Sequence, residues 1–215
     1  MVKRVDLKLP HNTIVNKFIA KTKFYEKASL SSKLKAEFTN KIQRITLTHQ
    51  LIEKTTNISK TDKVEAILIF EIELKQQIIP KNILKIIDKE ISSPILFVFV
   101  YKNNFTYGIT LKENNITQNY YLSEWNQDIH FDFTGIDLEK VYQKLIKAFI
   151  TNEAENSGDF DTIIDTDNKI KRLEKEIETL NSKIRKEQQF NRKVDLNKTL
   201  LEKQKQLQSI KENIA

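Results

Sequence analysis

Cysteine is absent from this 215-residue chain. No disulfide frame, thiolate metal site or cysteine nucleophile can be built, and the composition fits a reducing cytosol. Glycine and proline are scarce, with 3 of each. The chain has no glycine-rich phosphate loop, no G-x-G-x-x-G turn and no serine-nucleophile elbow. Nucleotide hydrolysis and acyl transfer therefore find no support. No apolar run approaches the roughly 20 residues needed to span a bilayer, so no membrane partner is expected. The longest such run is Ile95 to Tyr101. The basic start MVKRVDLKLP lacks the apolar stretch of a secretory signal. His11, His49 and His130 are scattered, without metal-ligand spacing.

Charge is abundant, and one sign prevails. The formal net charge is +7. Met1 to Arg44 carries 11 Lys/Arg against 3 Asp/Glu, whereas Ile45 to Phe160 carries 12 against 16. From Asp161 to Ala215 the count is 13 against 10. The excess thus belongs to the N-terminal segment. A concentrated positive field favours a polyanion such as DNA, although a solvated basic face has the same composition. Lys17, Lys21 and Lys23 lie close in sequence, followed by Phe24 and Tyr25. Lysines beside aromatics can grip a nucleic-acid strand, the charge on phosphate and the ring on a base. The same rings can equally be core anchors.

The pattern divides the chain into a mixed core domain over residues 1–150, a polar linker over 151–161 and a helical segment over 162–215. A short helix is expected from Thr13 to about Lys21, and a clearer one from Ser31 or Ser32 to about Arg44. A strand should follow to Ile52. Val64 to Lys75, VEAILIFEIELK, alternates as an extended strand. Leu68, Phe70, Ile72 and Leu74 share one face. Ile67, Ile69, Glu71, Glu73 and Lys75 share the other. Pro80 to Glu90 reads as a helix and Ile95 to Tyr101 as a strand buried on both faces. The pair of strands should be parallel, joined by a right-handed βαβ crossover. Turns at Asn103-Asn104 and Glu113 to Asn115 then separate strands Phe105–Lys112 and Ile116–Leu122. Ile129, Phe131 and Phe133 suggest a last short strand, and Asp137 opens a helix to about Ile150. The expected fold is α/β, with an α+β mixed sheet holding one βαβ unit, plus a C-terminal coiled-coil hairpin.

In that last segment Ile163, Ile170, Leu173, Ile177, Leu180 and Ile184 form one apolar seam. Leu196, Leu200, Leu207, Ile210 and Ile214 form a second. The phase break between them predicts a hairpin bending near Glu187 to Arg192. Pairing with another chain through one long helix, giving a homo-oligomer, is the alternative. Ile170, Leu173, Ile177, Leu180, Ile184, Leu200 and Leu207 are the expected interface residues, since such seams need a partner surface.

The sharpest catalytic candidate is Glu73-Leu74-Lys75 with Glu71 beside it. Nucleases of the PD-(D/E)XK class place an acid-x-Lys at a strand end, the acid holding Mg and the Lys orienting water. The required Asp on the preceding strand is missing, because Arg44 to Ile52 contains no acid. The other reading is the wet face of an amphipathic strand.

The opening LPHNTIVNKFIAKTKFYEKASLSSKLKAEF, then VEAILIFEIELK, IIDKEISSPILFVF, FDFTGIDLEKVYQKLI and EQQFNRKVDLNKTL resemble a bacterial family grouped as domain of unknown function (DUF) 4391. The resemblance implies a subunit of a restriction or phage-defence complex, with a helicase or methyltransferase as partner and DNA as a further expected contact. It implies no activity and no catalytic residues, so a non-catalytic adaptor without cofactor is expected, with the Mg-dependent nuclease as the alternative.

Overall fold

The computed structural model describes residues 7–113, 116–150 and 158–213. Asn114 and Asn115 of the turn expected at Glu113 to Asn115 and most of the 151–161 linker lie outside these residues, as does Ile214. Two compact units are present, Met1–Phe149 and Ile150–Ala215.

The first unit is built on a six-stranded mixed sheet in sequential order. Its strands are β1 (Ile14–Phe18), β2 (Ile42–Leu51), β3 (Ile67–Leu74), β4 (Ile95–Tyr101), β5 (Asn104–Glu113) and β6 (Ile116–Leu122). All neighbours are antiparallel except β3 and β4, which run parallel. Helix α4 (Lys81–Glu90) makes that crossover, which is the expected βαβ unit. Pro80 occupies its N-cap, where a missing N–H costs nothing. Residues Ile95–Val100 of β4 are buried without alternation, as a central strand covered on both faces requires.

Helices α1 (Lys21–Lys27) and α2 (Ser32–Lys41) join α4 in covering one face of the sheet. Ser31 caps α2 by accepting from the Leu34 N–H. Phe24, Phe38, Phe70, Ile72, Phe97 and Phe99 meet in this core, and Trp125 packs at its margin. The Phe38 ring stacks on Phe24 at 6.0 Å and meets Tyr25 edge-on at 5.5 Å. Phe24 is therefore a core anchor rather than a surface grip. A short turn α3 (Glu53–Thr56) follows β2, and α5 (Leu138–Lys147) is capped by Asp137 through the Lys140 N–H at 2.7 Å.

Two expectations fail. The segment from Thr13 to Lys21 is a 3-10 turn (His11–Thr13) followed by an edge strand, not a helix. Ladder bonds to β2 override a weak 3.6-residue pattern, and β-branched Ile14 and Val15 suit a strand. No strand forms over Ile129 to Phe133. Its alternating rings serve an aromatic cluster: Phe131 meets Tyr107 edge-on at 4.9 Å, with Phe149 at 5.7 Å and Phe133 at 6.2 Å. Aromatic packing produced the period of two without pairing.

One buried polar network ties α4 to the far strands. Lys112 pairs with Asp88 at 2.9 Å, the two side chains 4% and 1% exposed. Asp88 also accepts from the hydroxyls of Thr117 and Tyr120. Lys112 donates to the carbonyls of Asp88, Ile91 and Ser93 around the C-terminal end of α4. Burial pulls the Lys112 amine below its ordinary value, opposed by the Asp88 carboxylate.

The second unit is a helical hairpin of α6 (Phe160–Lys186) and α7 (Phe190–Glu212). Asp159 caps α6 through the Thr162 N–H at 2.9 Å. The chain bends at residues 187–189, within the expected stretch and without Gly or Pro. No helix among the described residues is long and apolar enough to cross a membrane.

Candidate functional site

The alternation of β3 places Glu71 and Glu73 on the sheet face opposite the α1/α2/α4 core. Register extends that face across five strands. Phe18 pairs with Thr46, Thr46 with Glu71, Glu71 with Val98, and Val98 with Tyr107. In the next row Arg44 lies opposite Glu73. Paired residues share a face, so each row is a line across one surface. Phe131 covers the Tyr107 end of the first row. The β1–β3 end instead forms an open trough of about 400 Å³. Leu7, Ile14, Asn16, Arg44, Thr46, Thr48, His49, Glu71, Glu73 and Val98 line it.

Sheet irregularities gather here. Register shifts fall between Ile14 and Lys17 in β1, and at Ile42/Arg44 and Leu47/His49 in β2. Asn16, in the first of them, has φ 48°, a left-handed conformation that asparagine tolerates better than most residues. Bulges re-aim side chains and collect beside functional sites. At the trough they turn Asn16, Thr48 and His49 into one concavity with two carboxylates and a guanidinium.

Arg44 donates from Nε to the Thr46 hydroxyl at 3.3 Å, and its guanidinium lies 5.5 Å from the centre of the Phe18 ring. Phe18 is 55% exposed. Among the described residues no ion pair engages Arg44 or Glu73. The opposed charges on neighbouring strands thus remain available to a ligand carrying both donors and acceptors.

Lys75, the third member of the expected catalytic set, does not line the trough. Its backbone N–H donates to the Lys41 carbonyl at 2.9 Å, and its side chain is exposed. The fold brings it instead beside Lys21, whose amine is held below its ordinary value by burial and by the Lys75 charge. Lys21 donates to the Ile42 carbonyl. Lys17 on β1 and Lys23 on α1 are exposed. The expected nucleic-acid lysines therefore stand on and next to the edge strand. Among the described residues no three of His, Asp or Glu converge as a metal site. The polar run Arg44, Thr46, Thr48, alternating with Ile45 and Leu47, was the available sequence signal for the rest of the trough.

In the hairpin the two seams meet within one chain. Leu173 and Ile210 line one cavity between the helices, Ile177 and Leu207 another. Glu176 and Lys203 bridge them at 2.9 Å. Ile170 and Leu173 are buried, whereas Ile177, Leu180, Ile184, Leu200 and Leu207 are half-buried. Phe190, Val194 and Leu201 belong to neither seam and remain 78%, 36% and 57% exposed.

A mixed sequential sheet with one parallel crossover, followed in the chain by a two-helix unit, defines an α+β protein with a helical hairpin. The chain belongs to the family described as domain of unknown function (DUF4391), whose profile matches residues 7–207. Neither the curated proteins nor the solved structures provide a match.

Proposed function

We propose that this chain is a non-catalytic accessory subunit of a bacterial DNA-targeting complex of the restriction or phage-defence type. Its hairpin docks a helicase or methyltransferase subunit, and its basic N-terminal part meets DNA. The observation that carries the reading is the spare apolar stripe of α7. Phe190, Val194 and Leu201 recur at four and seven residues, so they share a helix face while the seam toward α6 is already occupied. An amphipathic partner helix laid along that stripe fits it. The class of partner is what the resemblance to the family implies.

The double substitution Phe190→Asp, Leu201→Asp is expected to weaken co-purification with the locus-encoded partner at least about 30-fold, as loss of central apolar anchors does. Helicity by circular dichroism should be unchanged. Changing Lys17, Lys21 and Lys23 to Gln should lower DNA affinity and flatten its dependence on log salt by up to about 3. Light scattering that finds a monomer binding neither DNA nor any neighbour would end the proposal. A doubled mass lost in the same double variant would assign the stripe to self-association.

The Mg-dependent nuclease has one observation in its favour, the shared trough of Glu71 and Glu73. Against it stand the displaced Lys75 and the lack of a third converging ligand among the described residues. Cleavage assays on Glu73→Ala decide the matter: a nuclease built on these acids should lose at least about 100-fold in rate.

A further inference from the structure

The trough on the β1–β3 face has a chemistry that the adaptor reading leaves unused. It combines a planar cation with a carboxylate on the facing strand, and the exposed Phe18 ring lies beside that cation at the edge of the sheet. We propose that it receives an unstacked guanine base of a single-stranded nucleic acid; this rests on the DNA contact proposed above and deepens it.

The choice of base follows from donors and acceptors. Arg44 can offer two parallel N–H groups from its terminal nitrogens, because its Nε is the atom engaged by Thr46. Among unpaired bases, guanine with O6 and N7 and cytosine with O2 and N3 present adjacent acceptors that such a fork matches. The opposite side of guanine carries N1–H and the N2 amino group, two neighbouring donors suited to one carboxylate. Glu73, directly across from Arg44, is that carboxylate. Adenine and thymine lack both halves of this pattern, and cytosine has the adjacent acceptors without the adjacent donors. The volume of about 400 Å³ lies within the range of small-molecule sites.

The state of the nucleic acid follows from the setting. A duplex engages guanine N1–H and the adjacent N2–H in the base pair, so only an unpaired base can present both to Glu73. Open sheet faces with exposed aromatics hold single strands by stacking. Phe18, half exposed and beside Arg44, supplies that platform for the neighbouring base. Lys17 neighbours Phe18 on β1 but pairs with Leu47, so its side chain starts from the other face at the sheet edge, and Lys21 and Lys75 lie outside the trough. A strand passing over the β1 edge would meet them only with its flanking phosphates, and within the trough Arg44 is the cation set against Glu71 and Glu73.

Fluorescence anisotropy on the full chain tests this. The probes are short labelled oligothymidine strands with and without one central guanine, the matching RNA strands, the duplex, and free guanosine monophosphate as competitor. The guanine-containing strand is expected to bind at least about tenfold tighter than the plain strand and than the duplex. Glu73→Gln and Arg44→Lys should abolish that preference without altering the salt slope. Arg44→Lys keeps the charge and loses only the fork. Phe18→Leu should weaken both strands. Melting curves confirm that each variant is folded. Equal affinity for the two strands, or a preference that survives Glu73→Gln, overturns the proposal. Competition by the mononucleotide as strong as by the strand overturns its single-strand part. If trough variants change nothing while the Lys17, Lys21, Lys23 variant loses duplex binding, the DNA contact stands and the guanine site falls. If Glu73→Gln releases a protein partner while strand binding persists, the trough serves that protein and the proposal is likewise overturned.

Discussion

Asp88→Ala is expected to destabilise the protein by about 3–5 kcal/mol, the usual cost of breaking a buried ion pair from one side. The Lys112 amine would lose its counter-charge while only 4% exposed. The hydroxyls of Thr117 and Tyr120 would lose their common acceptor. The Tyr120 hydroxyl is held well above its ordinary value, first by burial and then by the Asp88 charge, so it stays a donor throughout the neutral range. Lys112→Met should be at least as costly, because it leaves the Asp88 carboxylate without its cation and takes a donor from the carbonyls of Ile91 and Ser93. Asp88→Asn keeps an acceptor for the two hydroxyls and should cost less than either. Urea denaturation checks this: the midpoint should fall with the m-value unchanged. Losses under about 1 kcal/mol for both Asp88→Ala and Lys112→Met would place the pair among weak surface bridges and discard this account.

Phe38→Ala is expected to cost a similar about 3–5 kcal/mol, through lost transfer energy and the cavity left behind. Phe38 is fully buried and holds Phe24 and Tyr25 by its ring contacts. Those two residues belong to α1, the helix that carries Lys21 and Lys23. The effect should therefore have a local component. Amide exchange in α1 and α2 should accelerate more than in β4, the central strand. Uniform acceleration across the sheet, or a loss below about 1 kcal/mol, would show that α1 is held by other contacts.

Sequence reasoning worked wherever one local rule governed an element. Ile95 to Tyr101 is apolar without a break, and only a strand covered on both faces accommodates that over so short a run. Asp137 and Ser31 cap the helices they precede, because a side-chain oxygen satisfies an open N–H regardless of context. The bend between α6 and α7 followed from the changed phase of the apolar seam. Failures came where two rules competed. Ile14 to Phe18 has weak helical spacing, and the partner that makes it a strand lies about 30 residues away in β2. Ile129 to Phe133 has a strand's period but packs its rings on Tyr107 instead.

The candidate site divides the same way. Glu71 and Glu73 were legible because a strand puts alternate residues on one face. Arg44 was not paired with them, since antiparallel register is set by distant contacts and shifted by bulges no propensity reports. Lys75 follows the same alternation on paper, yet β3 ends at Leu74 and its side chain leaves the trough.

By itself the order of residues settled the local grammar: strand faces, caps, the crossover and two greasy helical seams. Only the folded chain decided which polar residues share a concavity, that the seams close on each other, and that α7 keeps three apolar side chains in water. The reason is physical. Periodicity and capping act over a few neighbouring residues. Register, bulges and burial are collective outcomes of packing between segments far apart in the chain.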